Sequence, residues 1–527
     1  MTLKTMRSLI TLSILGGLFG LLNTGLFLAG GCSTVGSGAS APPISLPAPV
    51  TGRMTISSPD ETGAALVIGD EGAVPAGSLV QVINTTQDPA GLKVSQKLSE
   101  TLMSALLSPI PSAQAQTSFP EVCTRAFHAC VFAGTDGSFE VIIGAENDHE
   151  IVIEILDSAT GVGISERLRR PVPRNVRHFA RPVTDLGLLS NIPMSTRKLY
   201  ALMPRTPDDP RGLVSVVDLA TGTRTPVPFD GPLPARMAIR TETREGIIVD
   251  PEGGFAAKVD LAADNFDAPT KFLMEAPRDI VLDTSNNVIL VSTAETVAPG
   301  GTAADARFIR SINFNTLVEQ DPIRMSFFQT AIPDATNVAT RALDLIPFDD
   351  GAIISDLAAF VGIYDVAGTT TPAVGLFDAS NMLFLTALPL PTGTDPEDVA
   401  FARTSNRLLV SDSGNDRILL LDFTYAGGVA TLTPAGEIAD PNGFIGNPRD
   451  IVVHPEGGFA FVNAANGNED HPASVLTVDL TADQVVDLNP VGFGPTGSVF
   501  DPVNQILFIS TFKSHAVTFW GLPDLLP

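Results

Sequence analysis

The chain has 527 residues and a formal net charge of -26 at pH 7, from 32 basic and 58 acidic side chains. A surface this acidic repels phosphate backbones and excludes nucleic acid as a partner. Gly (46) and Pro (42) are abundant, apolar residues make up 44% and aromatics only 6%, which suits many short strands and turns around a sizeable core better than long helices.

The first element is an export signal. Lys4 and Arg7 precede an uncharged apolar run from Leu9 to Leu28, then Ala29-Gly30-Gly31 and Cys32. Charged, apolar and small residues in that order mark a cleaved targeting segment. The segment resembles a bacterial lipoprotein signal peptide, whose lipobox ends in a cysteine that carries lipid after cleavage, with Ala29 standing where that family usually has Leu. The resemblance implies a signal peptide over 1–31 and lipid on Cys32. Ser33 rather than Asp then implies an outer-membrane lipoprotein facing the periplasm or the cell surface. An uncleaved anchor is the other reading, because the run is long enough to span a bilayer. In both, the rest of the chain is exported to the cell envelope and tethered to the membrane. Residues 32–50 follow as a flexible linker, Ser33 to Pro49 being uncharged and rich in Ser, Pro, Gly and Ala.

Residues 51–167 read as a small β-sandwich. Gly72-Ala73-Val74-Pro75-Ala76-Gly77 is turn chemistry ahead of the apolar run Leu79 to Ile83. Asp136-Gly137-Ser138 is a second turn, after which Phe139, Val141 and Ile143, then Ile151, Ile153 and Ile155, repeat with a period of two. GAVPAGSLVQVIN and DGSFEVIIGAENDHEIVIEILDSATG resemble the Ig-like modules of bacterial surface proteins. An insertion at 87–132 separates them, and Val94, Leu98, Leu102 and Leu106 fall at helical spacing within it. With Cys32 lipidated, Cys123 and Cys130 remain as an even pair in an oxidising compartment, and their spacing predicts a local disulfide. His128 is the only nearby histidine, and two Cys with one His is an incomplete zinc set.

From about Arg181 onward the chain repeats itself. APRDIVLDTSNNVILVS from Ala276, DPEDVAFARTSNRLLVSDSGNDRILLLD from Asp395 and NPRDIVVHPEGGFAFVNAANGNEDHPASVLTVDL from Asn447 align, each with Pro, a polar residue and Asp before two apolar strands. Weaker copies begin near Pro234, Thr340 and Gly494, and a first unit fits around Arg197. The units resemble YVTN and NHL β-propeller repeats: Ser411 to Ile418 is close to the NHL signature, and VVDLATG (Val216 to Gly222) is typical of YVTN endings. The resemblance implies an all-β fold, with a seven-bladed (six to eight) β-propeller over 176–527 preceded by the Ig-like sandwich. The last copy supplies three strands, so its missing outer strand is expected from Val176 to Val183.

No G-x-S-x-G elbow, H-E-x-x-H helix or P-loop is present, and the six histidines show no ligand spacing. One constellation recurs. Asp279, Asp398 and Asp450 open the first strands of their repeats, Asp344 matches them, Arg278 and Arg449 sit beside two of them, and Glu397 and Arg341 stand beside the others. First strands line a propeller's channel, so these residues form a candidate ring at its mouth. The ring could ligate a divalent cation such as calcium, no other cofactor being expected, or accept hydrogen bonds between blades. Asp412, Asn415 and Asp416 are a second calcium candidate, with a turn-building role as the plainer reading; by resemblance Arg417 would reach a neighbouring blade. Two functions remain open: a lipid-anchored binding scaffold recognising an envelope or surface protein or a polymer, and a metal-dependent, lactonase-like hydrolase with its site at the channel mouth. Long loops at Val297 to Ala306 and Tyr364 to Pro372, and the polar stretch Asn463 to His471, are candidate recognition segments.

Overall fold

The computed structural model describes residues 46–521 apart from 47, 60–63, 88–122, 124–126, 147–148, 159–161, 172, 174, 191–195, 295–306, 321, 350–353, 367, 440–444 and 466–472. The chain divides into Met1–Ile44 and Ser45–Pro527, and everything described belongs to the second unit. The export signal, Cys32, nearly all of the linker, the helical spacing from Val94 to Leu106, the loop at 297–306 and the stretch 466–472 therefore lie outside the described residues.

Seven strands come first: β1 (Met54–Ile56), β2 (Ala64–Gly69), β3 (Leu79–Asn84), β4 (His128–Phe132), β5 (Phe139–Gly144), β6 (Glu150–Leu156) and β7 (Leu168–Pro171). They form two antiparallel sheets of order β1-β2-β5 and β4-β3-β6-β7. Alternate side chains of both sheets, among them Val67, Val80, Val82, Phe139, Val141, Ile151, Ile153 and Ile155, meet in one core. His128–Phe132, which the sequence places at the end of an insertion, is a strand of the second sheet, paired to β3 from Leu79↔Phe132 to Ile83↔His128. Cys123 and Cys130 are joined by a disulfide, with Cα atoms 5.5 Å apart, beside buried Leu79 and Leu156.

The remainder forms, among the described residues, seven four-stranded antiparallel sheets, here blades 1 to 7. Six are consecutive strands, with first strands Asp185–Leu189, Arg236–Arg240, Pro277–Asp283, Ala335–Asp349, Pro396–Ala402 and Pro448–Val453. Blade 7 takes Pro495–Asp501, Ile506–Thr511 and Ala516–Gly521, and its outer strand comes from the other end of the fold: β8 (Val176–His178). The register is Ala516↔His178, Val517↔Arg177 and Thr518↔Val176, so the expected splice of the two ends is present. Each first strand contacts the first strand of the next blade, and that of blade 7 contacts that of blade 1. This closed cycle of four-stranded sheets is a β-propeller.

The core lies between the blades. Middle strands are apolar on both faces, as in fully buried Val288–Thr293, because a blade is covered on each side by its neighbours. Outer strands such as Val429–Ala439 alternate buried and exposed residues. Aromatic pairs fill the wedges: Phe308 of blade 3 lies 5.3 Å from Phe360 of blade 4, and Phe461 of blade 6 lies 5.9 Å from Phe500 of blade 7. Each such side chain stabilises the fold by about 1.5–3 kcal/mol on burial.

A local device recurs where the third strand turns into the fourth. Asp218, Asp260, Asn313, Asp378 and Asp479 each accept the backbone amides two and three residues ahead, at 2.8–3.2 Å. Four residues after each capping side chain the backbone enters the left-handed region, at Gly222, Asp264, Leu317, Met382 and Asp483. VVDLATG is the sequence form of this turn, and Gly222 takes the one position where lack of a Cβ removes the strain.

Candidate functional site

The first strand of each blade begins beside the axis, and successive side chains of a strand point to opposite faces. In Pro-x-Asp the aspartate therefore turns inward, and the residue before it turns away. Asp279, Asp398 and Asp450 come together on this rule, and Asp344 joins them from the first strand of blade 4. Arg278 is exposed, and Arg449 reaches Glu397 at 3.4 Å instead of the axis. Arg341 likewise pairs with Asp395 at 2.7 Å and Glu397 at 3.0 Å. Arg341, Arg449, Asp395 and Glu397 thus form a separate network, and neither Arg449 nor the exposed Arg278 turns to the axis.

Two ring members escaped the sequence reading. Asp185 opens the first strand of blade 1, and Arg236 occupies the aspartate position in blade 2. The sequence places the first repeat around Arg197, one strand too late, and Arg236 breaks the Pro-x-Asp pattern in the weak copy Pro234-Ala235-Arg236. Arg236 crosses the axis. Its guanidinium lies 3.3 Å from Asp185, 3.2 Å from Asp450 and 3.8 Å from Asp279, binding together blades 1, 2, 3 and 6.

The carboxyl groups also tie five of the blades to the next. Asp185 accepts the Met237 amide at 3.0 Å, Asp279 that of Leu343 at 2.8 Å, Asp344 that of Phe401 at 2.7 Å and Asp398 that of Ile451 at 2.7 Å. Asp450 accepts the Ser498 hydroxyl of blade 7. Behind the ring, Ser292, Ser411 and Ser510 accept the amides of Asp279, Asp398 and Gly497 at 2.8–2.9 Å.

Four carboxyl groups around one guanidinium, with Asp344 beside Asp279, cannot all ionise freely. Burial pushes Asp185 up to about 7, with Arg236 acting against the shift and Asp450 reinforcing it. Burial alone accounts for most of the rise of Asp344 to about 7, and burial with the nearby Asp450 charge holds Asp398 well above the ordinary carboxylate range. Asp279 is raised for the same reason, burial. Although burial works against its charge, Arg236 is held more firmly protonated than usual by Asp185, Asp450, Asp279 and Asp398.

Above part of the ring lies a cavity of about 440 Å³, lined by Asp344, Asp398, Asp450 and Arg236 and by Arg403, His454 and Pro455. His454 bonds Gln505 through Nε2 at 2.9 Å. Among the described residues no group of three or more His, Cys, Asp or Glu side chains is arranged to hold a metal ion. The second calcium candidate is a turn: Asp412 accepts from Asp395, Asn415 and Arg417 at 2.8–2.9 Å. Arg417 bonds Asp412 and Glu437 within its own blade and meets Thr394, in the connection from blade 4, at 3.5 Å. The segment Tyr364 to Pro372 is not an irregular loop: it continues two strands as a tight hairpin, with Tyr364↔Thr371 and Val366↔Thr369 in register.

No protein-family model matches the chain, and no curated protein is similar to it in sequence. Among solved structures the chain is similar to hydrazine synthase of Kuenenia stuttgartiensis, at 15% identity and a TM-score of 0.48 over 66% of this chain and 97% of that one. It is also similar to the β-propeller domain of Cps50 (Swd1) from Myceliophteria thermophila, at 11% identity and 0.47 over 66% and 99%. The propeller fold rests on the chain's own sheet order and on the cycle of first strands.

Proposed function

We propose that this protein is an exported, lipid-anchored binding protein whose propeller recognises an envelope protein or polymer and catalyses no reaction. The observation that carries the reading is the engagement of the axis. Arg236 bridges three carboxylates there, and all five carboxyl groups accept hydrogen bonds from neighbouring blades. The ring is used to brace the propeller, which leaves recognition to the projecting segments. Two hairpins carry exposed tips: Gly368 to Thr370 in blade 4, above a base where Tyr364 is buried against Phe328, and the turn after Tyr425 in blade 5, where Val429 is exposed. Rigid strands that carry an exposed turn suit recognition, and the acidic surface favours a basic or neutral partner. The N-terminal pair of sheets, read as Ig-like, would serve as a spacer on a tether at Cys32.

The test pairs two variants of the intact protein. Replacing the exposed tip Ala426–Val429 by a shorter turn should abolish partner capture from the envelope and leave the melting temperature unchanged, because none of these residues is buried. Asp344→Asn should leave capture intact. Lactone or ester hydrolysis that depends on added calcium and vanishes in Asp344→Asn, with the fold retained, would replace this reading by the hydrolase.

A further inference from the structure

The strand that closes the propeller carries a feature that ring closure does not need. His178, the last residue of β8, stacks on His515 from the turn before the last strand, with ring centroids 6.2 Å apart and planes 22° from parallel. The Nε2 atom of His178 is buried without a hydrogen-bond partner. Arg224, on the outer strand of blade 1, donates to the His178 carbonyl and lies over Phe179, 5.6 Å from its centroid. A second positive charge on His178 would therefore stand between a guanidinium and another imidazole, with no acceptor for its Nε2–H.

The same short strand holds the N-terminal sheets. Ser58 and Val176 exchange two hydrogen bonds, at 2.5 and 2.9 Å, and Arg177 donates to the Pro59 carbonyl at 3.0 Å. Thr55 meets Ser514 at 3.0 Å and Lys513 meets Asp70 at 3.3 Å in the turn just before His515. The charged groups around the histidine pair are thus Arg224 from blade 1, Arg177 beside His178, Lys513 paired with Asp70, and Glu140 from β5. Glu140 acts to raise the affinity of His515 for a proton.

We propose that the His178–His515 stack is an acid-sensitive latch, in which protonation releases β8 from the last strand and frees the N-terminal sheets from the propeller together with it. The latch is closed with both imidazoles neutral. Burial, with His515 and Arg224 adding to it, lowers His178 to about 4, and burial lowers His515 as well. The unfolded or opened strand has ordinary histidines near pH 6.5. The opened form consequently binds protons more readily, and closure weakens as pH falls from about 6.5 towards about 4. The raised axial carboxyls have the opposite sign, gaining in the folded state as pH falls, so they cannot produce the same response.

Hydrogen exchange of the full-length protein, resolved to peptides covering 175–179 and 515–519 and corrected for intrinsic rates, tests the latch. Between pH 7 and pH 5 protection in both peptides should fall about twentyfold, while middle strands such as Val288–Thr293 keep theirs. In His178→Phe combined with His515→Asn the fall should disappear. His178→Gln, which keeps size and polarity, should reduce the fall and serves if the double variant does not fold. A fall of equal size in either variant, or constant protection in the wild type, would overturn the proposal.

Discussion

Gly497 and Asp185 meet where blade 7 closes on blade 1. A Cβ on Gly497 would lie 2.3 Å from the Asp185 Oδ1 atom, which Arg236 holds in place while the Met237 amide holds Oδ2. Gly497→Ala should therefore cost about 1–3 kcal/mol, whereas Gly144→Ala, with nothing within 4 Å, should change stability little. Chemical denaturation of the two variants checks the contrast. Asp344 makes a second residue-scale prediction. Its carboxyl titrates near 3.8 when unfolded and about 7 when folded, so its contribution is fully present below 3.8 and is lost as pH rises through 7. Asp344→Asn removes this loss. Relative to wild type the variant should gain stability between pH 5 and pH 8, and a constant difference across that range would refute the assignment. The inward turn of Asp279, Asp398 and Asp450 was legible in the sequence because the Pro-x-Asp phrase repeats. Arg236 was not, since only ring closure brings one arginine against carboxylates of three other blades.

At the scale of elements, the repeat was readable wherever apolar second strands and capped turns follow each other at constant spacing. It failed where a blade departs from the phrase: before the first strand of blade 1, D-L-G-L-L, Pro182 stands three residues ahead of Asp185 instead of two. The segment around Tyr364 has the Gly and Thr residues of a loop, but its pairing partners lie directly across and extend the hairpin. The disulfide between Cys123 and Cys130 closes a ring too small to restrain the unfolded chain strongly, about 2.5 kcal/mol at most. Reduction should lower the stability of the N-terminal sheets by no more than that and leave propeller unfolding unchanged. Calorimetry with and without reductant distinguishes this from a disulfide on which the whole fold depends.

At the scale of the molecule, the propeller closes because the chain's last three described strands borrow β8 from before its first blade. Deleting residues 495–527 would expose the flanks of blades 6 and 1 together, with the buried surfaces of Phe461, Leu199 and Ala201. Such a truncation should be insoluble or lack a cooperative transition. The central claim is that the axial cluster braces the ring, and Arg236→Met tests it most directly in thermal unfolding at pH 7.5. Removing the one cation from these buried carboxylates should cost about 3–5 kcal/mol and lower the melting temperature by about 5–10 °C. A variant that melts with the wild type would contradict the account and return the axis to the candidates for chemistry.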